Sequence, residues 1–194
     1  MFTGIVQAVG RIAGLKSAAV TIDAGGLDLA DVAIGDSIAC NGVCLTVTKL
    51  LSGAFTVDVS QETLRVTAGF HQGAAVNLEK SLRLADRLGG HLVSGHVDGV
   101  GTVRMVRAVD GNRELMIAFP HGLARYFARK GSVTVNGVSL TINALEGDGF
   151  SVNLIPHTLA ATNLGELNKD SLVNLEVDLV ARYVERMLSG EDAR

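Results

Sequence analysis

The feature that most constrains this chain is an internal repeat with an offset of 95 residues. Residues 37–48 read SIACNGVCLTVT and residues 132–143 read SVTVNGVSLTIN, and six of the twelve positions are identical. The same offset pairs Thr63-Leu64 with Thr158-Leu159. Repeats of solenoids and propellers are roughly 20 to 50 residues long, whereas this period is the size of a small domain. The sequence therefore predicts a domain duplicated in tandem, with two similar halves that can present two similar sites.

The duplication divides the 194 residues into three predicted parts. We expect a first domain over residues 1–88, a second domain over residues 89–177 and a terminal helix over residues 178–194, with a glycine-containing link near residues 86–90. Apolar residues make up 47% of the chain, which is enough to give each half a core. The last residues, 190–194, are the one segment that we expect to be disordered.

Charge and hydropathy exclude several classes of protein. The net charge is −3 and no basic run is longer than a dipeptide, so the clustered basic surface of a nucleic-acid binder is not expected. No apolar run approaches the length of a transmembrane helix, so we expect no membrane association. The start, MFTGIVQAVG, lacks the charged and apolar regions of a secretory signal. A cytoplasmic protein is predicted.

The two cysteines agree with a reducing compartment. Cys40 and Cys44 lie four residues apart in what reads as one strand, where their separation exceeds the limit of about 7 Å between the Cα atoms of a disulfide. No histidines and carboxylates stand at metal-ligand spacing either, so a metal site is not expected.

Strand patterns dominate both halves. Val43, Leu45 and Val47 alternate with polar residues, and the second copy repeats this alternation. The chain has 23 glycines and only two prolines, a composition that suits many tight turns between short strands. The pattern predicts an all-β barrel or sandwich in each half.

Helical periodicity is clear only at the end of the chain. Apolar residues recur at i, i+1, i+4, i+5, i+8 and i+9 after Asp178, which is a suitable N-cap. The stripe could pack on its own barrel or against a helix of another subunit, and the pattern does not decide between these. A shorter helix is predicted over residues 123–129.

The repeated motif places small polar side chains on one strand face. Period two puts Cys44 and Thr46 on the same face, and Ser139 and Thr141 on the equivalent face of the second copy. The opposite, apolar face must be the core, so the polar pairs point outward. A solvated strand face explains one such pair, but the recurrence of similar residues in both copies favours two related ligand sites.

Histidines are the other candidates because they titrate near neutral pH. His96 aligns with Ile5 of the first copy, so the second copy has an imidazole where the first has an aliphatic side chain. An isolated histidine is more often a hydrogen-bonded structural residue than a catalyst. The sequence shows no phosphate-binding loop, no nucleophile elbow and no partner that would make Ser139 part of a triad.

The motifs resemble a known family. In order along the chain these are MFTGIVQ at the start, NGVCLTV at 41–47, ETLR at 62–65, GGHLVSGHVDG at 89–99, NGVSLT at 136–141 and IPHTL at 155–159. On these motifs the chain is similar, over essentially its whole length, to the riboflavin synthases of the α-chain type and the related lumazine-binding proteins.

This resemblance implies a fold and an activity. The fold is all-β, with two tandem six-stranded antiparallel Greek-key barrels followed by a C-terminal α-helix, and it assembles as a homotrimer through the helices. The substrate is 6,7-dimethyl-8-ribityllumazine, of which two molecules dismutate by transfer of a four-carbon unit. The products are riboflavin and 5-amino-6-ribitylamino-pyrimidinedione, and no cofactor or metal is needed. An association with lumazine synthase is left open.

The resemblance also implies two substrate sites, which face each other across neighbouring subunits. The expected residues of the first-barrel site are Phe2, Gly4, Ile5, Val6, Ser37, Cys44, Leu45, Thr46, Asp58, Val59, Ser60, Gln61, Glu62 and Thr63. Those of the second-barrel site are His96, Val97, Asp98, Lys130, Ser139, Leu140, Thr141, Ile155, Pro156, His157, Thr158, Leu159 and Ala160. Asp178 matches an acidic position between barrel and helix, although its role as a cap is a sufficient explanation.

The expected chemistry starts at the acidic methyl group on C7 of the lumazine. We expect Ser139, Thr141 and His96 to move the proton, and Cys44 and Thr46 to contact the other lumazine. Which barrel holds the donor is left open. The alternative function is a carrier that binds lumazine or flavin without converting it.

Overall fold

The computed structural model describes residues 1–189. The expectation of disorder for residues 190–194, and the end of the predicted helix, lie outside the described residues. Within residues 1–189 no helix is long and apolar enough to cross a bilayer.

The first half forms a closed antiparallel barrel. Its strands, in the order β1-β2-β5-β4-β3-β6 around the barrel, surround an interior of buried aliphatic side chains and Phe55. The elements are β1 (Ala8–Lys16), β2 (Ala19–Asp23), β3 (Ser37–Cys40), β4 (Val43–Leu51), β5 (Ala54–Asp58), α1 (Gln61–Val66) and β6 (Ala75–Lys80). This half confirms the predicted six-stranded barrel.

The second half is a curled seven-stranded sheet. Its strands and helices are β7 (Gly99–Val109), β8 (Asn112–Ala118), β9 (Ser132–Val135), β10 (Val138–Thr141), β11 (Ala144–Glu146), β12 (Gly149–Leu154), α2 (Pro156–Ala161), β13 (Leu172–Val177) and α3 (Leu179–Leu188), with 3₁₀ turns at His121–Tyr126 and Asn163–Glu166. The strand order is β10-β9-β13-β7-β8-β12-β11, which repeats the order of the first half with β10 and β11 in the place of β4.

The second half thus has seven strands where six were predicted, because the equivalent of β4 is divided into β10 and β11. The strand breaks at Ile142, whose N–H donates to the Gly131 carbonyl and whose carbonyl accepts from the N–H of Lys130. Val47 makes the equivalent pair of bonds in the first half, where the strand continues through a register shift instead.

The sequence predicts a single strand around Cys40 and Cys44, but residues 37–48 form a hairpin. Asn41 and Gly42 have φ of 48° and 79°, the left-handed values of a type I′ turn, and Asn136 and Gly137 repeat them at 48° and 76°. Cys40 therefore ends β3 with its side chain in the core, whereas Cys44 lies on β4 with its side chain half-buried outside.

The helix predicted over residues 123–129 is also wrong. The structure has only the 3₁₀ turn His121–Tyr126, after which Phe127 is extended. The Phe127 ring packs 4.7 Å from that of Phe119 and 5.1 Å from that of Phe150, measured between centroids. Burial of this ring in the core ends the helical turn.

The two halves meet where their Asn-Gly turns touch. A Cβ atom on Gly42 would lie 2.9 Å from the backbone nitrogen of Gly137, and one on Gly137 would lie 2.7 Å from that of Gly42. Only residues without a side chain permit this approach, because real Cβ atoms do not come so close to backbone.

Five buried asparagines surround this contact. Asn77 donates from Nδ2 to the Asn136 carbonyl at 2.9 Å, and Asn174 donates from Nδ2 to the Asn41 carbonyl at 3.0 Å. Each half therefore supplies a hydrogen-bond donor to a backbone carbonyl in the turn of the other half. Asn163 adds bonds to the side chains of Asn41 and Asn77. Because every one of these amides is buried, the network holds the halves in one relative orientation.

The opening segment of each half crosses to the other half. We call residues 2–6 and 93–97 the opening segments; they pair with each other through Phe2 and Val93, whose N–H groups each donate to the other's carbonyl at 2.8 and 3.1 Å. Val6 then packs against the second core and Val97 against the first. The division at residue 88 stays a prediction, and these segments show that the halves share parts.

We predict that Gly42→Ala destabilises the fold more than Gly53→Ala does. Both glycines have positive φ, so both variants lose about 1–2 kcal/mol to left-handed strain. Only Gly42 faces backbone, whereas no atom lies within 4 Å of a Cβ on Gly53. We expect an additional loss of about 1–3 kcal/mol from this overlap, measured as the free energy of unfolding in denaturant. Equal losses in the two variants would contradict the close contact between the turns.

Candidate active site

Two similar surfaces combine a β-strand with the opening segment of the other half. The first-half surface is centred on Cys44, whose N–H donates to the Gly95 carbonyl at 2.8 Å. The second-half surface is centred on Ser139, whose N–H donates to the Gly4 carbonyl at 2.8 Å. Each surface is therefore built by both halves of the chain.

The glycines at these contacts permit the backbone to approach the strand. A Cβ atom on Gly95 would lie 2.6 Å from Cβ of Cys44, and one on Gly4 would lie 2.6 Å from Cβ of Ser139. Both glycines also have positive φ, 81° and 75°. A side chain at either position would push the opening segment off its strand.

This crossing corrects the predicted division of residues between the sites. Gly4, Ile5 and Val6 were assigned to the first barrel, but Gly4 bonds to Ser139 of the second. His96 was assigned to the second barrel with its neighbours Val97 and Asp98. Its segment instead lies against Cys44, because Gly95 bonds there and Val97 packs on the first core.

The first-half surface carries the polar groups that the alternation predicted to point outward. Thr46 is exposed and lies directly across from Ser37 in the pairing of β3 with β4, and Cys44 lies across from Ala39. The exposed residue His96 follows Gly95 on the crossing segment. The structure thus brings a thiol, two hydroxyls and an imidazole-bearing segment to one side of the barrel.

The short helix α1 follows β5 and carries several of the predicted residues. Ser60 caps α1 by accepting a hydrogen bond from the Thr63 N–H at 2.9 Å. Asp58, Gln61 and Glu62 are exposed, and Glu62 forms an exposed ion pair with Arg65.

Some residues predicted to contact substrate are instead in the interior. Phe2 is fully buried and packs with Ala39 and Val93 beneath Cys44, so its ring supports the surface from below. Leu45 and Val59 are core residues because their side chains face the barrel interior. Leu140 is half-buried and packs against the second core. Val6, Val97 and Leu159 also pack against one of the two cores. All of these side chains support the surfaces by packing and do not face a ligand.

On the second-half surface, Ser139 has a histidine partner that sequence reasoning missed. His91 Nδ1 lies 2.8 Å from the Ser139 hydroxyl oxygen, and the His91 N–H donates to the Thr3 carbonyl at 3.1 Å. Burial lowers the pKa of His91, and the negative charge of Asp178 opposes this shift. Nε2 of His91 is buried and has no hydrogen-bond partner among the described residues. The neutral imidazole, which this environment favours, can accept the hydroxyl proton of Ser139.

The two acidic residues near α3 are structural. Asp178 caps the helix by accepting from the Val180 N–H at 2.9 Å, as the sequence predicted. Asp98 was predicted to contact substrate, but its carboxylate accepts from the Val177 N–H at 2.8 Å and pairs with Arg182. These bonds direct the Asp98 side chain toward the helix.

The remaining predicted residues frame the second-half surface. Thr141, Lys130 and the start of α2 are exposed, and Pro156 occupies the first turn of that helix. The exposed members of the 155–160 segment are Ile155, Pro156, His157 and Ala160, whereas Thr158 and Leu159 are half-buried.

A cavity lies elsewhere on the molecule. It has a volume of about 720 Å³ at the junction of the halves, where Asn41, Asn136 and Asn163 line it, and none of the predicted site residues does. No group of three potential metal-binding side chains occurs within residues 1–189. Thr46 on the first-half surface and Thr141 on the second are exposed in a single chain.

Comparison with known proteins assigns the chain to a family. The model of the lumazine binding domain matches twice, over residues 3–81 and 94–178, which are the two halves. Riboflavin synthases from Photobacterium leiognathi and Bacillus subtilis are 47% and 41% identical to this chain, which covers 89% and 90% of their lengths; both alignments include 97% of this chain. The chain belongs to the riboflavin synthase family.

Another riboflavin synthase and two solved structures agree with this chain in length or fold. The riboflavin synthase of Mycobacterium bovis is 47% identical over 97% of this chain and 98% of its own. The solved structure of LumP complexed with riboflavin superposes with a TM-score of 0.83 at 29% identity, over 91% of this chain and 99% of that one. LumP complexed with 6,7-dimethyl-8-(1'-D-ribityl) lumazine gives 0.80 at 28% identity over the same shares. The riboflavin synthase family and the predicted fold class are confirmed.

Proposed function

We propose that this chain is a riboflavin synthase, a transferase that dismutates two molecules of 6,7-dimethyl-8-ribityllumazine into riboflavin and 5-amino-6-ribitylamino-pyrimidinedione. The observation that carries the proposal is the pair of similar surfaces around Cys44 and Ser139. A reaction between two identical molecules requires two similar sites, and duplication of a ligand-binding half supplies them. Holding both substrates in reactive orientation can contribute up to about 7–11 kcal/mol.

The proposed chemistry on the second-half surface uses Ser139 and His91. Loss of a proton from the methyl group on C7 gives a carbanion that delocalises into the lumazine ring, so a weak base suffices. The Ser139 hydroxyl lies 2.8 Å from His91 Nδ1, and burial favours the neutral imidazole that can take a proton. His91 is therefore the histidine that acts with Ser139, a role that the sequence analysis gave to His96.

His96, Cys44 and Thr46 then form the partner site. They lie on the first-half surface and would contact the second lumazine. Within one chain His96 accompanies Cys44 and not Ser139, so His96 reaches the Ser139 substrate only if the two surfaces come from different chains. We leave open which surface holds the four-carbon donor.

We also propose that the chain assembles as a homotrimer in which such surfaces face each other. The apolar stripe of α3 does not pack on its own barrel: Tyr183 is 64% exposed, Met187 83% and Leu188 82%. Glu185 and Arg182 on its other face pair with Arg125 and Asp98 of the same chain. The stripe is therefore presented outward, which supports helix contacts between subunits. Cytoplasmic location is proposed from the two free cysteines, which suit a reducing compartment, and an association with lumazine synthase from the family resemblance alone.

The trimer is tested by sedimentation equilibrium. We expect a mass three times the 20.2 kDa of the chain, and we expect Met187→Glu to lower it, because a charge on the stripe cannot be buried at low cost. Lys16→Glu changes an exposed charge at the end of β1 in the first barrel and serves as the control. A wild-type protein that sediments as a monomer would contradict the trimer.

The enzymatic function is tested by formation of riboflavin fluorescence from 6,7-dimethyl-8-ribityllumazine. We expect the wild type to convert the substrate, and Ser139→Ala to lower turnover by about 10²-fold or more, since general acid–base catalysis contributes factors of this size. Ser52→Ala removes an exposed hydroxyl from the turn after β4 and should retain wild-type turnover. Lumazine binding without product would identify a carrier instead.

A further inference from the structure

Two buried carboxylates have no role in the chemistry proposed above. Glu79 on β6 is 5% exposed and Glu176 on β13 is 3% exposed. A buried carboxylate is costly unless several donors compensate for the loss of water, so the partners of these groups indicate what each one holds in place.

Both carboxylates bind an opening segment. Glu79 accepts from the N–H and hydroxyl of Thr3, both at 2.7 Å, and from the N–H of Gly4 at 3.0 Å. Glu176 accepts from the N–H of Ser94 at 2.7 Å, from its hydroxyl at 2.6 Å and from the N–H of Gly95 at 3.0 Å. The two sets of bonds are equivalent atom for atom. In both, burial raises the pKa and the three donors oppose that rise.

Each carboxylate thereby acts on the surface of the other half. Glu79 belongs to the first barrel, and the Gly4 that it binds accepts the Ser139 N–H of the second-half surface. Glu176 belongs to the second half, and its Gly95 accepts the Cys44 N–H of the first-half surface. Each of these glycines is thus held at both of its backbone groups, by the carboxylate at its N–H and by the strand amide at its carbonyl.

We propose that Glu79 and Glu176 are positioning residues with crossed effects: Glu79 sets the geometry of the Ser139 surface, and Glu176 sets that of the Cys44 surface. The inference rests on the proposed function, because it treats these surfaces as the two substrate sites. Its distinctive consequence is that a change in one barrel alters the ligand site of the other. A role in stability alone would not select one surface over the other.

Amide hydrogen exchange tests the crossing without any ligand. Glutamine in place of either glutamate keeps the size of the side chain but replaces one accepting oxygen with an NH₂ group. Two donors then face each other, so a hydrogen bond to the opening segment is lost. We expect Glu79→Gln to accelerate exchange of the Ser139 amide by about tenfold or more and to leave the Cys44 amide within about twofold, because a lost charged hydrogen bond is worth at least a factor of this size. Glu176→Gln should do the reverse, and Glu166→Gln, an exposed control, should change neither.

Ligand affinity provides the functional readout. Thr141→Trp blocks the second-half surface and Thr46→Trp blocks the first, since both threonines are exposed on these faces. In the Thr141→Trp protein we expect Glu176→Gln to weaken riboflavin binding about tenfold and Glu79→Gln to leave it unchanged, as one lost charged hydrogen bond implies. In the Thr46→Trp protein the two effects should exchange.

Milder variants cover the case in which a glutamine variant does not fold. Thr3→Val and Ser94→Ala each remove one hydroxyl donor from a carboxylate and should show the same crossed pattern with smaller factors. Equal acceleration of both amides, or an effect confined to the mutated half, would overturn the inference. If the variants show the crossed exchange but the wild-type protein binds no riboflavin, the result would instead contradict the proposed function.

Discussion

The structure depends on the contact between two Asn-Gly turns. Because neither Gly42 nor Gly137 has a side chain, the turn backbones approach to about van der Waals distance, and buried asparagine amides satisfy the polar groups around them. This contact fixes how the two halves face each other. The opening segments cross between the halves in that orientation and complete the surfaces around Cys44 and Ser139. A side chain at the junction would therefore disturb two distant sites at once.

The crossing of the opening segments lets two halves of similar fold form two sites that differ in their side chains. Each surface receives its strand from one copy and its opening segment from the other, so both copies contribute residues to each site. The first-half surface joins Cys44 to His96, whereas the second joins Ser139 to Ile5 and to His91, which precedes the repeated segment. The two sites therefore differ in acid–base groups although the strands that carry them are alike, as a reaction with distinct donor and acceptor requires.

Local patterns in the sequence predicted much of this arrangement. Alternation placed Val43 and Leu45 inward and Thr46 outward, and Asp178 was recognised as a helix cap, because these features depend on neighbours within a few residues. The hairpin at Asn41-Gly42 was missed, although Asn-Gly is a strong turn signal. The strand break at Ile142 and the partnership of His91 with Ser139 carry no local signal, since both depend on residues brought together by the fold. The crossing of the opening segments was missed for the same reason, and this error placed Gly4 and His96 at the wrong sites.

The most direct test of the account is a measurement of two hydrogen bonds in solution. Scalar couplings across hydrogen bonds, observed by NMR on isotope-labelled protein, identify the carbonyl that accepts from a given amide. The account predicts a coupling between the Cys44 nitrogen and the Gly95 carbonyl carbon, and another between the Ser139 nitrogen and the Gly4 carbonyl carbon. Couplings from Cys44 to Gly4 and from Ser139 to Gly95 would show that each half keeps its own opening segment, and would contradict the shared sites.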